Sequence, residues 1–224
     1  MENVIYDNRH DINSIKKSLV SLEEPPVYTD PSCGISCSPT LIEVGKTTNI
    51  TIRPSYTKND GGEIKEVKFY KDNVLQTTQT NLNSYVSNCD NNATYKIEIT
   101  YADGPIKETN LGNPYPNTSI KAGTISRSTN IVAVGLSYYG IDTNLNSTLK
   151  NTKAFTYDGI TCTNGRIVYK YPKSLGALTS IKDANNFEYI NSYTRSEETI
   201  NNIVYYVYQL NDPVTLSGFK QIFS

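Results

Sequence analysis

The stretch Thr94-Tyr-Lys-Ile-Glu-Ile-Thr-Tyr101 decides the fold class of this chain. Every second position carries a large aromatic or branched residue, and these residues share one face: Tyr95, Ile97, Ile99 and Tyr101. The opposite face is polar and consists of Lys96, Glu98 and Thr100. A period of two residues is that of a β-strand with one buried and one solvent-facing side. The sequence therefore predicts a mainly β protein.

Strand-like segments also precede this stretch, at short intervals and separated by Gly, Pro and Asn turns. Residues Asn49–Tyr56 alternate, with Pro54 indicating an edge or a bulge, and Glu63–Gln76 carries further apolar positions. The chain has 25 Asn, 25 Thr and 18 Tyr, which suits half-exposed strands joined by many turns. Residues 27–112 are accordingly predicted to form an immunoglobulin-like β-sandwich, in architecture only, since the Cys…Trp…Cys signature is absent.

A second β region is predicted over residues 113–224, after a boundary in the loop-forming stretch Leu111–Asn117. Four segments carry its strand pattern: Asn130–Tyr139, Arg166–Tyr171, Ile203–Leu210 and Leu216–Phe223. The third of them is apolar on both faces, which predicts a strand buried inside its sheet. We therefore expect a second, C-terminal β-sandwich.

Residues 1–26 differ from all that follows, because their apolar residues recur at helical spacing. Six positions form one seam of alternating three- and four-residue steps, apolar except for the asparagine: Ile5, Asn8, Ile12, Ile15, Leu19 and Leu22. This is the coiled-coil pattern, and Pro25 and Pro26 would end the helix. An asparagine in the seam would fix the register at some cost in stability.

A lone helix of this length is marginal in water, so its seam must be buried against something. Three partners could bury the seam: further copies of the chain, another protein, or the chain's own β region. The segment from Val27 to Ser32 is predicted to be an extended linker, which disfavours the third, and self-association is the preferred interpretation. Isoleucine at the a and d positions of the seam favours three strands, whereas the two later leucines weaken this preference, and a trimer is the first expectation.

Charge and composition exclude several classes of function. A net charge of −1 with no basic stripe argues against a nucleic-acid partner, and no apolar run is long enough to insert into a membrane. The N terminus lacks the features of a secretory signal, so we expect assembly in a cytoplasm with free thiols. Cys33, Cys37, Cys89 and Cys162 do not follow a zinc spacing, and no metal or other cofactor is predicted.

No catalytic constellation emerges, so the chain is not expected to be an enzyme. His10 is the only histidine and falls on the helix. Carboxylates on polar strand faces, including Glu98, are expected to be solvated surface, and Asp183–Glu188 is expected to be a plain turn rather than a calcium loop.

Two adjacent tyrosines, Tyr138 and Tyr139, precede Gly140 in a predicted strand. They fit a contact surface for sugars or protein, because tyrosine presents a rigid amphipathic face. The alternative is that one ring is core and its neighbour covers the sheet edge, and this alternative is favoured.

Several short motifs in the C-terminal half carry a resemblance to a known class of proteins. They are Tyr-Tyr-Gly at 138–140, Tyr-Pro-x-Ser-x-Gly at 171–176, Ile-x-Asp at 181–183, Tyr-x-Val-Tyr at 205–208 and the closing apolar strand. Together they resemble a C-terminal β domain in structural proteins of tailed phages of gut bacteria, including crAss-like phages. The resemblance implies a virion component and transfers no active site.

The helix and the resemblance together predict a homo-oligomeric capsid-decorating or head-fibre protein on the virion surface. Its partners would be itself, a capsid or other virion protein, and a host surface glycan or protein. A tail-associated receptor-binding fibre is the alternative within this class. A cell-surface adhesin or a polysaccharide depolymerase is the alternative outside it.

Overall fold

The computed structural model describes residues 2–21, 24–115 and 118–224, and the side chains of all of these except residues 2–7, 20 and 21. The chain is mainly β, as the alternating pattern predicts, with a single α-helix in the described residues at the N-terminal end. This helix, α1, spans Glu2–Ser21. It ends before the Pro25-Pro26 pair, in keeping with the inability of proline to continue a helix.

The strands up to residue 134 form two sheets, which we call the N-terminal sheets. Their bounds are β1 (Ser32–Ser38), β2 (Leu41–Glu43), β3 (Thr48–Thr57), β4 (Ile64–Lys71), β5 (Val74–Gln79), β6 (Tyr85–Cys89), β7 (Ala93–Tyr101) and β8 (Gly123–Val134). One sheet has the order β1-β3-β6 and the other has the order β2-β8-β7-β4-β5. The stretch that predicted the fold is thus β7, the middle strand of five.

Strand β7 has the two faces that its alternation predicts. Tyr95, Ile97 and Ile99 are at most 1% exposed, whereas the residues between them are half-buried. The register with β4 is antiparallel and places Val67 opposite Ile99 and Phe69 opposite Ile97. Since all four are buried, these cross-strand pairs form part of the core beneath the N-terminal sheets.

The remaining strands form two further sheets, which we call the C-terminal sheets. Their bounds are β9 (Leu136–Ile141), β10 (Asn144–Leu149), β11 (Phe155–Gly165), β12 (Ile167–Pro172), β13 (Ile181–Asp183), β14 (Tyr193–Ile200), β15 (Ile203–Leu210) and β16 (Val214–Phe223). The sheet orders are β10-β9-β12-β15-β14 and β11-β16-β13. Strand β15 lies between β12 and β14, so the prediction of an internal strand is confirmed.

Both C-terminal sheets contribute to one aromatic core. Tyr169 of β12 lies 5.2 Å from Phe155 of β11 and 4.9 Å from Phe223 of β16, measured between ring centroids. Tyr171 stacks on Tyr208 at 6.0 Å with the ring planes 8° apart. In a chain without tryptophan, tyrosine supplies most of the large buried rings.

Three buried tyrosines of this core have hydroxyls with a hydrogen-bond partner, which offsets the cost of burying a polar group. Tyr169 donates to the carbonyl of Lys153, and Tyr171 donates to the carbonyl of Gly176, both at 2.9 Å. The hydroxyl of Tyr208 accepts the backbone N–H of Leu178, also at 2.9 Å. These bonds attach connecting loops to the core.

Two features of the chain's organisation differ from the expectation. The segment Asn130–Tyr139 is not one strand, because β8 ends at Val134 and β9 begins at Leu136 in a different sheet. Strand β8 lies beside β7 and also pairs in parallel with β2. The N-terminal sheets therefore extend beyond the boundary expected at residue 112.

The chain divides into two compact units that interleave along the sequence. One comprises Met1–Ser36, Arg53–Tyr85 and Tyr95–Ser128, and the other comprises Cys37–Ile52, Val86–Thr94 and Thr129–Ser224. Five strands contribute residues to both units: β1, β3, β6, β7 and β8. The loop at Leu111–Asn117 does not separate the two units.

Candidate functional site: the N-terminal helix and the segment that follows it

The helix exposes apolar side chains along one face. Ile12, Ile15 and Leu19 lie at i, i+3 and i+7, and their exposed fractions are 51%, 62% and 53%. Every side chain from Asn8 to Leu19 is exposed, so this part of the helix buries none of its side chains. The side chain of Ile5 and the whole of Leu22, also assigned to the seam, lie outside the described residues.

The segment from residue 24 to residue 31 has no regular secondary structure and is fastened to the β-structure. We call residues 24–31 the strap. The backbone N–H of Glu24 donates to the side-chain oxygen of Asn110 at 2.9 Å. Near the other end, the amide of Asn59 donates to the carbonyl of Asp30 at 2.8 Å.

Tyr28 is the central anchor of the strap. Its hydroxyl accepts the backbone N–H of Lys107 at 2.9 Å and donates to the carbonyl of Thr118. The ammonium group of Lys107 lies 5.2 Å from the centre of the tyrosine ring, within cation–π distance. The same ammonium group donates to the carbonyl of Val27 at 2.8 Å.

Asp60 completes the anchor by bridging the strap and the lysine. Its carboxylate lies 2.7 Å from the ammonium group of Lys107 and accepts the backbone N–H of Thr29 at 2.7 Å. The hydrogen bond from Lys107, with that from Thr29, lowers the pKa of Asp60, so the carboxylate is charged at neutral pH. The strap is therefore attached over its length by side chains from two connections, the one between β3 and β4 and the one between β7 and β8.

The carboxylates considered for catalysis are occupied by neighbouring groups. Glu98 accepts from Lys96 at 2.8 Å and from the hydroxyl of Tyr70 at 2.6 Å, and these bonds lower its pKa. Glu66 pairs with Lys68 at 2.9 Å. His10 is exposed on α1. No cluster of three or more metal-binding side chains occurs within the described residues.

The segment Asp183–Glu188 folds as a turn that its own carboxylates hold together. Asp183 is 5% exposed and accepts the backbone N–H groups of Asn185 and Phe187. Glu188 accepts from the hydroxyl of Ser180 and from the N–H of Ile181, and these bonds lower its pKa. Carboxylates that are engaged in this way stabilise the loop.

The four cysteines are free thiols in half-buried or buried positions. Burial raises the pKa of Cys37 to about 11, and it also raises the pKa of Cys33. The Cys89 thiol donates to the carbonyl of Asn91 at 3.0 Å. Since the thiolate is the reactive form, Cys33 and Cys37 are poor nucleophiles at neutral pH.

Tyr138 and Tyr139 are both half-buried on β9. The ring of Tyr139 packs 4.5 Å from Phe155 and 5.1 Å from Tyr157, at the margin of the aromatic core. The ring of Tyr138 lies 5.9 Å from that of Tyr205. Each ring thus packs against neighbouring aromatic residues, and the two do not form a single exposed aromatic surface.

Comparisons with known proteins give no match to this chain among protein-family models, curated proteins or solved structures. No helix in the described part of the chain has the length and apolar character needed to cross a membrane. The candidate site therefore rests on the residues themselves.

The residues of the strap's anchor were not found from the sequence. Tyr28, Asp60 and Lys107 are far apart in the chain and match no motif. The one local signal was an aromatic residue, Tyr28, within a segment otherwise typical of a linker. An isolated tyrosine in such a segment indicates docking onto a folded surface, but it does not identify the partner residues.

Proposed function

We propose that this chain is a non-enzymatic structural protein of a bacteriophage virion, a capsid-decorating or head-fibre protein that forms homotrimers through its N-terminal helix. The observation that carries the proposal is the exposed apolar face of α1, at Ile12, Ile15 and Leu19. A short helix that leaves such an apolar face exposed over its described side chains, residues 8–19, gains stability from a partner that covers this face. The resemblance of the C-terminal motifs to phage structural proteins supports the virion assignment.

The free energy gained when the helices associate follows from the exposed fractions of Ile12, Ile15 and Leu19. Full burial of an aliphatic side chain contributes ~1.5–3 kcal/mol, and each of the three residues is about half exposed, so covering them contributes about 3 kcal/mol per helix. Three helices that bury these faces together would gain about three times as much. This is enough to support an oligomer that has further contacts and marginal for three isolated helices.

In this proposal, the β-structure is the part of the protein that is exposed on the surface of the virion. We infer that each pair of sheets packs as a β-sandwich, the first of them immunoglobulin-like. The shared aromatic core of the C-terminal sheets supports this arrangement for the second pair. The strap suits such a protein, because a fastened segment after the helix transmits load from an anchor to the β-structure.

Light scattering after gel filtration tests the proposal by measuring the molecular mass of the wild type and of two variants. One variant carries an added charge inside the seam, and the other carries it outside the seam. The wild type should have three times the 25.0 kDa mass of one chain. Ile12→Asp should be monomeric with its β-structure intact, because an unpaired buried charge costs several kcal/mol. Asn13→Asp adds the same charge at a neighbouring exposed position outside the seam and should remain an oligomer.

Two outcomes would contradict self-association: a monomeric wild type at micromolar concentration, or an Ile12→Asp variant of unchanged mass. Electron microscopy of phage particles carrying gold-labelled protein then distinguishes the capsid from the tail. Label confined to the tail would replace the head assignment with the tail-fibre alternative.

A further inference from the structure

A cavity of about 500 Å³ opens within the C-terminal sheets, apart from the helix and the strap. Its lining comes from the end of β15, from β16, from the start of β12 and from the loop before β14. The volume lies within the ~300–1,000 Å³ typical of small-ligand sites. Because all of these residues belong to Thr129–Ser224, the cavity lies within one compact unit.

One buried polar side chain in the cavity wall has unused hydrogen-bonding capacity. Gln221 is only 2% exposed, and its carboxamide oxygen accepts the hydroxyl of Tyr193. Within the described residues, its amide nitrogen makes no hydrogen bond. This amide can therefore donate a hydrogen bond to a ligand that presents an acceptor in the cavity.

The rest of the inner wall is apolar and partly aromatic. Ile167 and Leu210 are buried, and Leu216 is half-buried. Tyr189 and Phe219 meet edge to face, with ring centroids 6.3 Å apart and planes at 89°. A ligand that fills this space must therefore carry an apolar surface as well as an acceptor.

The rim of the cavity is polar and exposed. Asn191, Ser192, Asn211 and Asp212 lie there, three of them with amide or carboxylate groups. The side chains of Asn191 and Asp212 make no hydrogen bond to other described residues. Short polar groups spread around an opening suit a ligand with several hydroxyls, and the single acid without a lining base disfavours an anion.

We propose that this cavity binds an N-acetylhexosamine residue of a glycan, with the acetamido carbonyl accepting from the amide of Gln221. The acetamido methyl then packs on the apolar wall, the C–H face of the sugar packs on the aromatic pair, and the hydroxyls meet the polar rim. A peptide also offers a carbonyl acceptor, but it does not offer the hydroxyls that the rim accommodates. The proposal is independent of the oligomeric state.

Titration of the full chain with free N-acetylglucosamine, followed by the side-chain amide NMR signals of Gln221, tests the assignment. These signals should shift at millimolar sugar. Glucose, which has no acetamido group, should bind about tenfold more weakly, the equivalent of one hydrogen bond. N-acetylglycine methylamide, the peptide counterpart, should produce no saturable shift.

Two variants separate the cavity from its surroundings. Leu216→Trp fills the cavity and should abolish the shifts, whereas Val204→Trp, on a 41% exposed residue outside the lining, should leave them unchanged. Gln221→Met keeps the size of the side chain and removes the donor. With binding followed by the backbone amide signals of the other lining residues, it should weaken N-acetylglucosamine about tenfold without weakening glucose. The Gln221→Met variant serves as the test if Leu216→Trp does not fold.

Three results would overturn the proposal. The first is the absence of any shift in cavity-lining residues at saturating N-acetylglucosamine. The second is unchanged affinity in both folded cavity variants. The third is binding of the peptide counterpart at least as tight as that of the sugar.

Discussion

The hydroxyl of Tyr208 offers a sharp test of what holds the C-terminal sheets together. Tyr208 is 3% exposed, and its hydroxyl accepts the N–H of Leu178, itself 6% exposed. Tyr208→Phe keeps the ring and its stacking on Tyr171 but leaves that buried N–H without an acceptor. An unsatisfied buried donor costs ~1–3 kcal/mol, so we expect the free energy of unfolding to fall by about 2 kcal/mol.

The matched control is Tyr206→Phe, two residues earlier on the same strand. The hydroxyl of Tyr206 makes no hydrogen bond within the described residues, and its ring keeps its cation–π contacts with Arg195 and Lys173. A change of this kind usually alters stability by less than ~0.5 kcal/mol. The two variants remove the same atom, so their difference isolates the hydrogen bond to Leu178.

Calorimetry and urea unfolding measure the effect and also the size of the cooperative unit. A loss of 2 kcal/mol lowers the Tm by about 10 °C if the unit that melts has ~60–100 residues, and by about 6 °C if it has ~150–250 residues. If Tyr208→Phe and Tyr206→Phe shift the Tm equally, the hydrogen bond to Leu178 does not stabilise the fold and the reasoning is wrong.

Three further predictions concern the strap, the Glu188 turn and the division of the chain. Tyr28→Phe should speed amide exchange of residues 24–31 about fivefold without changing the oligomer mass, because it removes about 1 kcal/mol of local hydrogen bonding; unchanged exchange would contradict the anchor. Glu188 has a lowered pKa, so its contribution to stability is complete above the unfolded value near ~4.3 and is lost as the pH falls through the folded value. The urea midpoints of wild type and Glu188→Gln should therefore differ at neutral pH and converge on acidification, whereas a constant gap would refute the ionic contribution. A fragment of residues 27–112 should be unfolded by circular dichroism and one of residues 27–134 folded, since only the second contains β8; a folded shorter fragment would restore the earlier boundary.

The sequence was most informative where a pattern is local. The alternation in β7 predicted both faces of that strand, and the two-faced apolar pattern of β15 predicted its internal place, because burial of a strand face depends on every second residue. The helix was visible for the same reason, since its seam recurs within two turns.

Pairing between distant strands could not be predicted in this way. Strand β2 pairs in parallel with β8, and Leu41 faces Val132. The alternation continues from β8 into β9 without a break in the sequence pattern, yet the strands diverge at Gly135, where an added Cβ would lie 2.5 Å from the hydroxyl of Tyr205. A glycine required by close approach resembles any other glycine in the sequence.

The cavity was missed because its wall is assembled from distant segments. Gln221 occupies an ordinary position in the last strand, and nothing near it in the sequence indicates that its amide lacks a partner. Neither the hydrogen bond with Tyr193 nor the aromatic pair of Tyr189 and Phe219 is encoded by local spacing. Such a site becomes visible only when the strand register is known.

The pairing of β11 with β16 has a consequence for how the chain folds during its synthesis. Cys162 and Val214, which this pairing brings together, are 52 residues apart. At a translation rate of ~5–20 residues per second, β11 is made roughly 3–10 s before its neighbour. Throughout that interval it is a nascent strand with unpaired backbone groups and a risk of pairing with other chains. The register shifts along β11, between Tyr157 and Gly165, interrupt the regular ladder that such pairing needs. Once β16 has paired, β11 remains an edge strand of its sheet, and the same irregularities disfavour pairing of that edge with another chain.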